Sequence, residues 1–85
     1  MKKLIEVEEK SGLESLMGER ITLFCVNYIY TGKLIGVNTD QILLEEPAII
    51  YETGAFTTSE WKDAQALPHE LYIRLSAVES YGKVK

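Results

Sequence analysis

This chain has very little of what catalytic and metal-binding sites are usually made from. Cys25 is its single cysteine, which excludes an internal disulfide and a cysteine-based zinc site. His69 is its single histidine, beside Pro68 in a stretch that reads as loop. A lone, solvated imidazole gives no reason to expect metal binding or general-base work with Glu70. There is no Gly-rich phosphate loop, paired-carboxylate motif or nucleophile elbow, so neither an enzyme nor a cofactor is expected. No apolar run approaches the roughly 18 residues of a membrane span. The opening "MKKLIEVEEK" is broken by Glu6, Glu8 and Glu9 and lacks the apolar core of a signal peptide. A cytoplasmic protein with no membrane partner is expected. Basic residues are the minority: nine Lys and Arg face thirteen Asp and Glu, a net charge of −4. That balance argues against tight, sequence-independent nucleic-acid binding, while leaving room for a small basic site.

What is present is enough for one domain, residues 1–85, with one modest core. "SGLESLMG" predicts a short helix over 11–17. Ser11 stands at the N-cap with Glu14 three residues later, Leu13, Leu16 and Met17 share a face, and Gly18 stops it. "KLIEVEEK" before it reads either as an extension of that helix or as a loose strand.

"RITLFCVN" and "YIYTGKLIGVN" read as two strands joined by a tight turn at Asn27 and Tyr28. That register sets Ile21 across from Leu34 and Leu23 across from Gly32. One face then gathers Ile21, Leu23, Cys25, Tyr30 and Leu34, the inner set by alternation. The other gathers Thr22, Phe24, Val26, Ile29, Thr31 and Lys33. Gly32 and Gly36 break the second strand four residues apart, which marks bend points. "QILLEEPAIIYE" is a third strand with a bulge or exposed edge expected at Pro47. Residues 53–69 form an insert expected to carry a short helix, with Thr57 and Glu60 at capping-box spacing, Trp61 and Ala64 on one face, and Pro68 closing it. Trp61 reads as a packing residue or as a ligand platform. "LYIRLS" and "AVESYGKV" are the fourth and fifth strands.

Taken together, the short helix, "GER", an alternating strand, Gly32-x-Leu34-x-Gly36 and "VNTDQILL" resemble the first motif of the Sm/LSm family, which includes Hfq. "LYIRLSAVESYG" resembles the second. The likeness spans residues 11–82, with the first motif in 20–52 and the second in 70–83. It implies an all-β fold: a strongly bent, five-stranded antiparallel Sm-like barrel with an N-terminal helix and a short helical insert before the fourth strand. It also implies a homo-oligomeric ring joined through the fourth and fifth strands, and single-stranded RNA as a non-covalent ligand. Carried onto this chain, the family's RNA-binding positions are Asn38, Thr39, Asp40 and Arg74. An amide can read a base edge, and a guanidinium can stack on a base or hold phosphate. Two readings stay open at each. Asn38, Thr39 and Asp40 are also ordinary turn formers, and Arg74 serves equally as half of an ion pair. The alternative to an RNA-binding ring is an Sm-fold structural or protein-interaction module, whose acidic surface faces protein partners.

Overall fold

The structure, a computed structural model, describes residues 12–85. Six antiparallel strands form one open sheet: β1 (Arg20–Cys25), β2 (Ile29–Val37), β3 (Gln41–Glu52), β4 (Asp63–Ala66), β5 (Leu71–Arg74) and β6 (Val78–Gly82). The all-β class is therefore as expected. β1, β2 and β3 make a meander, and β6 returns to pair with β1. The twelve-residue β3 serves two further partners. Its first part, Gln41–Leu44, pairs with β5, and its last part, from Ala48 to Glu52, pairs with β4.

The first hairpin keeps the expected faces but not the expected turn. Ile21 lies across from Gly32, Leu23 from Tyr30 and Phe24 from Ile29, two residues away from the tight-turn register. The loop is the three residues 26–28, closed by the Cys25 N–H donating to the Tyr28 carbonyl at 3.0 Å. A two-residue type I′ turn requires positive φ at both central positions. Neither Asn27 nor Tyr28 adopts it. Because side chains alternate with a period of two, a slip of two leaves every residue on its own face. Ile21, Leu23 and Leu34 accordingly form the core with Ile42, Leu44 and Ile73, and Cys25 and Tyr30 pack half-buried against it. On the opposite face Thr22 and Thr31 are also buried, and Thr31 Oγ1 donates to the Ile21 carbonyl at 2.9 Å.

Both glycines of β2 sit where the β2–β3 ladder slips. Between Thr31↔Ala48 and Lys33↔Glu45, Gly32 faces two residues, Glu46 and Pro47. Glu46 takes the left-handed conformation there (φ 49°), and Pro47, which has no N–H to offer a ladder, is buried at the bulge. Between Leu34↔Leu44 and Gly36↔Leu43 the extra residue is Ile35, on β2. Each bulge increases local twist and bends its strand. At Gly32 the need for glycine is steric. A Cβ there would stand 3.0 Å from Leu44 Cβ and 3.3 Å from the Glu45 carbonyl oxygen.

Two expectations about helices change. The predicted 11–17 helix is a 3-10 turn over Gly12–Leu16, with Leu13 and Leu16 packed on the core and Met17 exposed. Five residues starting at a left-handed Gly12 (φ 62°) are too few to build an α-helix. Gly18 ends the turn as expected, in the left-handed region (φ 85°), its N–H donating to the Leu34 carbonyl. Ser11 and "KLIEVEEK" lie outside the described residues. The 53–69 insert contains no helix. The Thr57–Glu60 capping box does not form. Instead Thr58 Oγ1 bonds back to the Ala55 carbonyl at 2.8 Å, and residues 63–66 become β4. The second half of β3 otherwise presents an unpaired edge. Ladder bonds along that edge outweigh a weak local helix preference.

Candidate nucleic-acid interface

The turn between β2 and β3 is organised by Asn38. Its Oδ1 accepts the N–H groups of Asp40 at 2.8 Å and Gln41 at 2.7 Å, and its own N–H donates to the Gln41 carbonyl at 3.0 Å. This is an Asx turn, in which the amide oxygen replaces a main-chain acceptor. With that oxygen engaged, the turn holds Thr39 and Asp40 out into solvent.

The same turn is tied to the end of β5. The Leu75 N–H donates to the Asp40 carbonyl at 2.8 Å, and Gln41 pairs with Arg74 across β3 and β5. Thr39, Asp40 and Arg74 therefore line one open pocket of about 420 Å³, together with Gln41, Leu75 and Ser76. Asn38 borders a smaller neighbouring hollow of about 140 Å³ with Gly36, Leu43 and Tyr72. Gly36, Leu43 and Tyr72 lie in one row across β2, β3 and β5, and the missing side chain at Gly36 leaves the space above Leu43. Tyr72 is 63% exposed and shares the outward face of β5 with Arg74.

Gln41, Ser76 and Tyr72 are lining residues that motif matching misses. The period-two alternation of "LYIR" does carry the signal for Tyr72, since residues 72 and 74 must share a face. Gln41 and Ser76 need the β3–β5 register, which no local pattern encodes.

Electrostatically the pocket is mixed. Arg74 makes no ion pair among the described residues. The two salt bridges there, Lys62–Glu52 at 3.5 Å and Lys83–Glu19 at 3.2 Å, are exposed and lie elsewhere. Asp40 is the acid that lines the Arg74 pocket. Glu45, Glu46, His69 and Glu70 surround a separate hollow of about 400 Å³ between β4 and β5. Among the described residues no group of three or more His, Cys, Asp or Glu side chains is placed to hold a metal ion.

Cys25 and Tyr30 line a further hollow between the first hairpin and β5, with Tyr28 set edge-on to Tyr30 at 6.2 Å. Burial pushes the Cys25 thiol above its usual range, and the Glu79 carboxylate adds to the shift. Burial likewise raises the Tyr30 phenol. Both groups stay protonated near neutral pH, which is the opposite of what an activated thiol nucleophile needs. Among the described residues, β5 pairs only with β3 and β6 only with β1, so each keeps one open edge. No helix in the described residues is long and apolar enough to cross a membrane. Neither a protein-family model nor a curated protein matches this chain, so the reading of the pocket rests on its own geometry.

Proposed function

We propose that this chain is an Sm-like cytoplasmic subunit that assembles into a homo-oligomeric ring and binds short single-stranded RNA without catalysing a reaction. In this reading β6, β1, β2, β3 and β5 are the five strands of a bent Sm-like barrel, and β4 is an added edge strand. The open edges of β5 and β6 complete one another between neighbouring protomers. An unsatisfied edge is a liability that a ring removes. The observation that carries the RNA reading is the convergence of Thr39, Asp40 and Arg74, from two segments far apart in the chain, on one open pocket. Arg74 contributes a guanidinium unpaired among the described residues, Thr39 a hydroxyl, and Tyr72 an exposed ring beside them on which a base can stack.

Fluorescence anisotropy with labelled oligo-U and oligo-A at low salt tests this. Binding tighter than about 50 μM is expected. Arg74→Ala should weaken it by about tenfold or more, since a hydrogen bond to a charged group is lost. The slope of log affinity against log salt should also fall by about 1. A second reading draws on the net charge of −4 and on Asp40 within the pocket. It makes the same oligomer a structural or protein-interaction module. No RNA binding at about 50 μM, or binding untouched by Arg74→Ala, selects that reading instead.

A further inference from the structure

The loop between β3 and β4 holds an ammonium group in a cage. Lys85 Nζ donates to the carbonyls of Thr53 at 2.7 Å, Ala55 at 2.9 Å and Glu60 at 2.8 Å. It also lies 4.6 Å from the centre of the Trp61 ring and 5.5 Å from that of Phe56. The two rings are perpendicular, with centroids 6.4 Å apart. A primary ammonium has three N–H donors and no acceptor, so three carbonyls satisfy it completely. The aromatic rings add cation–π attraction.

The acceptors are positioned by the loop itself. The Lys62 N–H donates to the Thr53 carbonyl, and the Thr58 N–H and hydroxyl both donate to the Ala55 carbonyl. The Thr58 hydroxyl also reaches the Glu60 carbonyl at 3.3 Å. A left-handed Gly54 (φ 69°) sets the turn, where a Cβ would come within 3.2 Å of Lys62 Cβ. Residues 83–85 follow β6 with no regular structure, and Lys83 contributes one exposed ion pair, which is worth little. Three exposed acids, Glu52, Glu60 and Asp63, belong to this segment and its flanks, and Lys62 pairs with Glu52 at 3.5 Å.

We propose that this loop is a receptor for an unmodified lysine side chain, filled in cis by Lys85 and able to take a lysine from a basic segment of a second polypeptide. Lys85 then acts as a resident competitor that sets the threshold for partner binding. The geometry selects among cations. A guanidinium is planar and presents its donors in a fork that three converging carbonyls do not match. A trimethylated ammonium has no N–H left to give them.

Trp61, the only tryptophan, is the reporter. Nα-acetyl-lysine methylamide is titrated into Lys85→Ala protein while Trp61 emission is followed, with circular dichroism confirming the fold. A saturable shift back towards the wild-type spectrum is expected. Affinity should be about tenfold or more tighter than for the norleucine analogue, which lacks the charged donors. The trimethyl-lysine and arginine analogues should also bind more weakly, and wild-type protein should respond only at higher ligand concentration. No saturable response, or an equal response to norleucine, overturns the proposal. A second measurement needs no variant. In the wild-type NMR spectrum the Lys85 ε-protons should be shifted upfield from those of other lysines by the two rings, with slowly exchanging ammonium protons. An ordinary lysine spectrum at Lys85 also overturns it.

Discussion

Leu44→Ala should destabilise the protein by about 2–5 kcal/mol, the range for removing a fully buried leucine and leaving a cavity. Leu44 is 0% exposed. It sits at mid-β3, with Leu34 of β2 on one side and Leu71 of β5 on the other. Its side chain therefore fills the place where three strands meet. For a domain of this size the melting temperature should fall by roughly 10–30 °C. Total stabilities of about 5–15 kcal/mol mean that the variant approaches the unfolding threshold. Leu43→Ala is the control. Leu43 is one residue away, half-buried on the outward face in the row with Gly36 and Tyr72, and its loss should cost much less. Thermal melts of the two variants check the register directly. Equal losses would mean that the inner and outer faces of β3 are misassigned.

Gly32→Val is the second large effect, and here opposing contributions decide the sign. Replacing glycine removes freedom from the unfolded chain, a gain of about 0.4–1 kcal/mol when the native backbone tolerates the change. Valine also suits a strand. Against this stands the close approach of β3. The first added atom meets Leu44 Cβ at 3.0 Å and the Glu45 carbonyl oxygen at 3.3 Å. Neither is the movable end of a side chain, so the backbone must shift, and overpacking of that kind costs about 1–3 kcal/mol or more. A net loss of about 2 kcal/mol is expected. The other two strand glycines, Gly36 and Gly82, rank below it. A Cβ at Gly36 meets Leu43 Cβ at 3.3 Å, a longer approach than at Gly32, and no backbone atom lies within 4 Å of it. At Gly82 nothing lies within 4 Å. Gly36→Ala should be near neutral and Gly82→Ala neutral or stabilising. A flat ranking across the three would remove the steric reason for the β2–β3 bulge at Gly32.

These residues also show how far the amino-acid order could be read. Face assignment was legible because alternation is local, and it survived a two-residue error in the hairpin turn. Pro47 announced its bulge because a residue without an N–H cannot sit in a regular ladder. β4 was not legible. Thr57, Glu60 and Trp61 carry genuine helix-start signals, and what overrides them is the unpaired half of β3, whose partners in β4 lie 11 to 18 residues further along the chain. The pocket was half legible. Thr39, Asp40 and Arg74 line one hollow, whereas Asn38 folds the turn and Gln41 and Ser76 enter only through the β3–β5 register. The Lys85 cage joins residues 25 to 32 positions apart through main-chain carbonyls, which no side-chain pattern encodes.

Assembly is the claim on which the functional reading turns. Among the described residues β5 and β6 each carry one unpaired edge, joined by a 3-10 turn over Leu75–Ala77, and the proposed ring of like subunits would give each edge a partner. Native mass spectrometry of the purified chain at micromolar concentration measures this directly. The account predicts one closed homo-oligomer of defined stoichiometry. A strict monomer under those conditions would contradict it.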